Sequence, residues 1–428
     1  MGQETGHMTK LALLGGDPVI AEPLPPYQSM GEAEIAAVSD VVRSGCLSGF
    51  YGSPGPEFLG GPKVRAFEDA WSERFGAKHT VSVNSATSGL MAAVGAVGIG
   101  PGDEVIVPPW TMSATAMAPL MYGGIPVFAD IEDETFCLDP VQVKASITPK
   151  TKAIIVVNLF GHPARLAELR QIADDNDLFL IEDNAQAPLG SENGKSCGTI
   201  GHIGVFSLNF HKHIHTGEGG MCTTDDGDLA KRLQLIRNHG ENTVEDWGIS
   251  DITNIIGMNL RMSELHAAVG LAQLSHAGAH IETRETLATA LTEGTKDLEG
   301  WTPPVVRDGC RHNYYVWLPK FDEEATGINR EIFCKALAAE GFPHGVGYLP
   351  PLYTLPVFQK RQAIGKEGFP FTLTDRRYEG KLCPVTERLH EKEAIVFEPC
   401  AFEVIDQTTE LLIRAIRKVH DNRAELSP

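Results

Sequence analysis

The sequence predicts an α/β protein: a large domain on a mostly parallel seven-stranded sheet, followed by a smaller C-terminal α+β domain. Three observations carry this. Seven short β-prone runs recur between His79 and Thr224, helical patterns separate several of them, and beyond about residue 285 the alternation gives way to a different rhythm. Strands alternating with helices join in parallel through right-handed crossovers, which clothes both faces of the sheet with helices. At 428 residues the chain is also long for one compact core, which suits an N-terminal arm over 1–30, a large domain over 31–285 and a small domain over 286–428.

Taken in order, Val64, Phe67, Trp71 and Phe75 fall three or four residues apart on one helical stripe, and Gly76 follows as a stop signal. The first strand is His79–Val83. Further strands are expected at Glu104–Val107, Ile125–Ala129, Ala153–Asn158, Leu178–Glu182, Gly204–Ser207 and Gly220–Thr224, with helices over Ser88–Val97 and Leu166–Asn176 among the connections. A long helical stretch rich in Ala, Leu, His and Glu runs from about Gly270 to Leu298. In the small domain Tyr314–Leu318 reads as a strand, Asn329–Glu340 as a helix with a capping Asn, and Pro350–Tyr353 and 361–374 as loops. Met1–His7 is a polar start, with Met8 as an alternative first residue. There is no repeat period, heptad or low-complexity tract.

Composition excludes several functions. Lys and Arg number 36 against 56 Asp and Glu, a formal net charge of −20, which repels a phosphate backbone and an anionic membrane surface at long range. Nucleic acid and membrane are therefore not expected partners, although a local cluster of amides can still hold a phosphate. The eight cysteines stand singly, without CxxC spacing; they read as reduced thiols of a cytoplasmic protein. No apolar run approaches the roughly 20 residues a bilayer requires, and no signal pattern opens the chain.

The chemistry centres on Lys212, in the stretch Ser207-Leu208-Asn209-Phe210-His211-Lys212-His213-Ile214-His215 that leads to Gly217-Glu218-Gly219-Gly220. Upstream lies Ile181-Glu182-Asp183-Asn184-Ala185-Gln186. A lysine amine can condense with an aldehyde cofactor, and a buried carboxylate can keep a ring nitrogen protonated, so the pair suggests pyridoxal phosphate chemistry. Alone, Lys212 would be a solvated loop lysine and Asp183 a helix cap. Asp183 ends an apolar strand, at the edge where α/β sheets place ligand-binding residues. Ser85-Ala86-Thr87-Ser88 marks a strand-to-helix passage whose amides and dipole would face an anion, although a capping turn alone would look the same.

These motifs, together with Val83–Leu90, Pro101–Pro108, Gly257–Glu264 and Cys383–Leu389, resemble in type and order the DegT/DnrJ/StrS family of sugar aminotransferases. The resemblance runs from about Leu11 to the C-terminal helix. It implies a pyridoxal-phosphate-dependent transferase of fold type I, with pyridoxamine phosphate formed during turnover, acting as a homodimer with shared sites. By this resemblance Lys212 links to the cofactor and shuttles the proton, and Asp183 pairs with the ring nitrogen. Gln186 lies near the phenolic oxygen, and Ala86, Thr87 and Ser207 hold the phosphate. Trp110 stacks on the ring, and Asn259 reaches the phosphate of the second subunit. For the acceptor, His162, His211, Arg261 and Tyr348 are the candidates.

Where the family often has an acidic residue, Gly161-His162-Pro163-Ala164-Arg165 places Arg165; that position is local and structural. His211, His213 and His215 alternate around Lys212, a spacing that could ligate a metal, but Lys212 already accounts for the segment and no metal is expected. The implied reaction moves an amino group from glutamate or glutamine to a keto or aldehyde sugar, in amino-sugar biosynthesis. The opening Lys10–Val19 is similar to members that aminate keto-cyclitols, and an oxidised octulosonate is a further acceptor. A dehydratase of the same family would carry histidine in place of Lys212, and a non-catalytic cofactor-binding regulator would need no lysine and aspartate together. Acceptor specificity is expected in the loops 49–61 and 341–356.

Overall fold

A computed structural model describes residues 10–405 and 407–426. The polar start and Met8 lie outside the described residues. Two helices, α1 (Glu32–Ser44) and α2 (Pro62–Phe75), precede the sheet. On α2 the stripe Val64, Phe67, Trp71 and Phe75 is buried, and the helix ends on Gly76 at φ 77°, a left-handed conformation that penalises residues with a Cβ.

The seven strands are β1 (His79–Val83), β2 (Glu104–Val107), β3 (Ile125–Phe128), β4 (Thr151–Val157), β5 (Phe179–Asp183), β6 (Ile203–Ser207) and β7 (Gly220–Thr224). Each lies within two residues of its expected bounds. They run in the order β1-β7-β6-β5-β4-β2-β3. Only β7 is antiparallel to its neighbours β1 and β6; the others pair in parallel. Alternate residues serve opposite faces, as a strand requires. Val105, Val107, Ala153, Ile155 and Ile181 join one buried cluster, while Ile106, Ile154, Val156 and Leu180 join another. Helices α3 (Ala86–Ala96), α4 (Ala114–Leu120), α5 (Pro140–Ser146) and α6 (Leu166–Asp175) lie in the connections between strands, and α7 (Gly227–Arg237) follows the last strand. The sheet thus has two apolar faces, as continuous Val/Ile runs demand.

Helix α8 (Glu264–Thr295) spans 32 residues and starts six residues before the expected stretch. Ser263 caps it by accepting from the His266 N–H at 3.3 Å. The helix packs against α1, α2 and the C-terminal helix and crosses position 285 unbroken. Beyond it come α9 (Arg330–Ala339), capped by Asn329 as expected, α10 (Pro384–Arg388), with proline in its first turn, and α11 (Thr408–Asp421). A third apolar cluster, including Leu287, Trp301, Trp317, Phe333 and Leu412, lies here. The N-terminal arm docks on this part: the backbone N–H groups of Ala12 and Val19 donate to the buried Glu340 carboxylate at 2.8 and 3.0 Å.

The expected strand at Tyr314–Leu318 does not form. Tyr314 sits at φ 51°, and the Tyr315 N–H donates to Asn313 Oδ1 while the Val316 N–H goes to the Phe160 carbonyl. With successive donors sent to different neighbours no ladder can start, and only Trp317 makes a bridge, to Phe397. The expected loops hold short 3-10 turns at Leu352–Thr354 and Phe371–Leu373. Among the described residues no helix is long and apolar enough to cross a membrane.

Candidate active site

The carboxyl ends of β5 and β6 deliver Asp183 and Ser207 to one edge of the sheet. Antiparallel β7 starts there at Gly220, which pairs with both Ser207 and Val83. Gly220 has to lack a side chain: a Cβ there would lie 2.6 Å from the Ser85 carbonyl carbon and 2.7 Å from the Ala86 nitrogen. That close approach sets the start of α3. Ser85 caps it, its Oγ accepting from the Ser88 N–H at 3.1 Å, so the first free amides of the helix belong to Ala86 and Thr87.

Around this edge lies a cavity of about 330 Å³. Its lining includes Ala86, Thr87, Asp183, Gln186, Ser207, His211, Lys212 and Tyr348, eight of the twelve residues singled out above, together with Thr111, Met112, Asn209, Glu218 and Tyr315. Asp183 and its neighbour Glu182 show how the strand sorts them. Glu182 turns to the other face and accepts from the N–H groups of Gly198, Ile200 and Gly201 at 2.6–2.8 Å, which fixes the loop before β6. Asp183 turns inward, taking the Ala185 N–H on Oδ1 at 3.1 Å and the Thr115 hydroxyl on Oδ2 at 2.9 Å. Burial pushes its carboxyl above the usual range, opposed by these two hydrogen bonds and the Lys212 charge.

Burial acts in the opposite sense on the lysine, lowering Lys212 to about 8 while Asp183 partly restores it. Its Nζ donates to Tyr315 Oη at 3.1 Å and lies 4.1 Å from the Tyr315 ring centre. Gln186 accepts from the Phe160 N–H at 2.6 Å and donates to the Tyr348 hydroxyl at 3.0 Å. Burial raises Tyr348 to about 12, so its phenol stays protonated.

Four of the singled-out residues lie elsewhere. Trp110 is fully buried behind the wall, donating to the Leu349 carbonyl at 2.8 Å and meeting Phe136, Phe160 and Tyr348 edge-on; the lining there is Thr111 and Met112 rather than a stacked indole. His162 is buried in a separate small hollow, one ring nitrogen against the Pro163 carbonyl and the other accepting from the Arg307 N–H, and burial lowers it to about 4. Asn259 is exposed and bridges Asn238, and Arg261 donates to Asn238 Oδ1 at 2.7 Å. Neither lines the cavity of its own chain.

The three histidines around Lys212 diverge. His211 faces the cavity, where burial and then the Lys212 charge lower it to about 4. His213 packs on Cys400 at 3.3 Å, and His215 lies 2.5 Å from the Ser29 hydroxyl. Among the described residues no three His, Cys, Asp or Glu side chains are grouped to hold a metal ion. Arg165 pairs with Glu132 beside α6, a local contact. Sequence reasoning missed Tyr315 and Thr115.

The profile of the DegT/DnrJ/EryC1/StrS aminotransferase family matches residues 29–396. Spore coat polysaccharide biosynthesis protein SpsC of Bacillus subtilis is 34% identical, over 80% of this chain and 86% of its own length. The L-glutamine:2-deoxy-scyllo-inosose aminotransferase of Streptomyces kanamyceticus is 33% identical over 98% of this chain and 99% of its own. Among solved structures, that of DesI in the presence of its TDP-sugar product is similar with a TM-score of 0.78 and 30% identity, covering 97% of this chain and 99% of the other.

Proposed function

This chain belongs to the DegT/DnrJ/EryC1/StrS aminotransferase family and is a transaminase of fold type I; we propose that it uses pyridoxal phosphate to move an amino group from glutamine or glutamate to a polyhydroxylated keto or aldehyde acceptor in amino-sugar biosynthesis. The observation that carries this reading is the burial of Lys212 and Asp183 in one cavity beside the free amides of a helix.

The residues present fit the cofactor. Ala86 and Thr87 amides with the Ser207 hydroxyl suit a phosphate, the inward Asp183 oxygens suit a protonated ring nitrogen, and the Gln186 amide, in the same cavity, would offer a donor to a phenolic oxygen. When bound, the group supplies an aldehyde that condenses with amines and a ring that delocalises electrons from a substrate Cα. The chain supplies the rest. Asp183 would keep the ring nitrogen protonated, and Lys212, its pKa lowered to about 8, would lose its proton more readily than a free lysine and so have its neutral amine available as a base near neutral pH.

Among the described lining residues the charged side chains are Asp183, Lys212 and Glu218. Lys212 is committed to chemistry, so the described lining holds no second cation for a diphosphate. An uncharged polyol suits such a lining, and the likeness to a 2-deoxy-scyllo-inosose aminotransferase along 98% of the chain supports a keto-cyclitol as the acceptor and glutamine as the donor. The active unit is a homodimer: Met112, Phe210, Tyr51, Ile252 and Ile256 are exposed apolar side chains, Asn259 stands outside its own cavity, and a second subunit would use both. Residues beyond about 285 form the smaller domain, with α8 as the spine shared with the larger. The eight unpaired thiols suit the cytoplasm.

The test begins without an acceptor. Glutamine added to the cofactor-loaded protein should abolish the absorption band of the lysine-linked cofactor, and 2-deoxy-scyllo-inosose should restore it. Lys212→Ala should bind the cofactor without fixation by borohydride and without turnover; wild-type turnover in that variant would sink the reading.

A further inference from the structure

We infer that Tyr315 is the positioning residue that holds the Lys212 amine against the cavity wall whenever that amine is free, an inference that rests on the transaminase reading above. Lys212 Nζ lies 3.1 Å from Tyr315 Oη and 4.1 Å from the centre of its ring. One side chain therefore offers both a hydroxyl and a π face to the same ammonium. The phenol is itself held. It is 6% exposed, its backbone N–H donates to Asn313 Oδ1 at 3.2 Å, the next N–H donates to the Phe160 carbonyl at 3.1 Å, and the His213 imidazole packs against the ring at 6.2 Å. Burial, reinforced by Tyr348 and Glu398, raises the phenol so that it stays neutral.

The need for such a holder follows from the chemistry. In the donor half-reaction an amino substrate would take the place of the lysine amine, which then stays free until it displaces the aminated product at the end of the acceptor half-reaction; throughout, the same amine would carry a proton at the adjacent carbon. A four-carbon stem left free would spread its amine over many rotamers, and each misplacement slows the transfer. The other groups facing Nζ are Asp183, Cys400 and Glu398, with His211 and His213 on its own segment. Of these, Tyr315 makes the hydrogen bond to the amine.

Two variants and two measurements test this. Tyr315→Phe keeps the ring and removes the hydroxyl; Tyr315→Ala removes both. In the cofactor-free protein, the pH dependence of Lys212 methylation by formaldehyde and cyanoborohydride is followed by peptide mass spectrometry. Removing the hydroxyl takes away the acceptor of the ammonium hydrogen bond, so the Phe variant should label with a midpoint about half a pH unit lower, other lysines unchanged. In the cofactor-loaded protein, the maximal rate of the glutamine half-reaction should fall about tenfold in the Phe variant, and further in the Ala variant, with the half-saturating glutamine concentration within about twofold. If either the midpoint or the maximal rate of the Phe variant matches wild type, the inference is overturned, whether or not the Ala variant folds. A wild-type protein inert to both glutamine and glutamate would instead sink the transaminase reading, with the labelling comparison still reporting on the contact.

Discussion

At the scale of single residues, Asp183 is where the proposed catalytic role and a merely turn-forming one can be told apart. Its two oxygens take the Ala185 N–H and the Thr115 hydroxyl, and a cap needs no more. An amide could keep accepting from one of these donors, but it cannot hold a ring nitrogen protonated. Asp183→Asn is therefore expected to retain the fold and bind cofactor while amino transfer falls by more than a hundredfold. Stopped-flow measurement of the glutamine half-reaction checks this, and a loss below about tenfold, roughly 1.4 kcal/mol, would reduce Asp183 to its structural bonds. That Asp183, Lys212, Ser207 and the Ala86–Thr87 turn line one cavity was legible in the sequence because each lies in a contiguous motif at or just beyond a strand end. Tyr315 and Thr115 were not, because their role comes from a distant chain segment meeting the motif, and neither residue type announces it. Trp110 and His162 failed differently. Both were read as facing the cavity, and in the structure each satisfies its polar atoms against nearby backbone and is absorbed into packing.

At the scale of elements, the periodicity of apolar residues was enough to find all seven strands, since a sheet buried on both faces writes itself as Val/Ile runs. Tyr314–Leu318 has the same composition without the ladder. Its backbone donors are drawn to Asn313 and Phe160, partners that single-sequence patterning does not contain. The N-terminal arm depends on a comparable long-range contact. Glu340 has no exposed surface, and its carboxylate gathers Ala12 N–H, Val19 N–H and, at 2.9 Å, the Lys418 ammonium on α11. Removing one partner of a buried pair strands the other in a low-dielectric site. Glu340→Ala should thus lower the urea midpoint by an amount equivalent to about 3–5 kcal/mol, with Glu340→Gln in between because it keeps an acceptor for the arm. Arm residues should become susceptible to limited proteolysis in parallel. A destabilisation below about 1 kcal/mol would show that the arm is held by its apolar contacts, Leu11 and Ile20, rather than by this carboxylate.

At the scale of the whole molecule, one chain carries the lysine, the carboxylate and the helix amides, while Asn259 lies exposed outside the cavity, its backbone bridged to Asn238 and its Oδ1 accepting from the Arg261 N–H at 3.5 Å. If two chains pair so that each Asn259 serves the neighbour's phosphate, activity belongs to the dimer and defects can be redistributed. Lys212→Ala inactivates the site on its own chain. Asn259→Asp places a negative charge beside the partner's phosphate, where like charges repel, and should inactivate the other site. A heterodimer of the two then holds one site with both defects and one with neither. Mixing the inactive homodimers under subunit exchange should restore activity up to about half that of a wild-type dimer, since the intact site acts alone. Cofactor affinity should weaken on dilution as dimers dissociate. Failure to recover activity despite proven exchange, or full activity in a species that light scattering identifies as monomer, would place every essential residue within one chain.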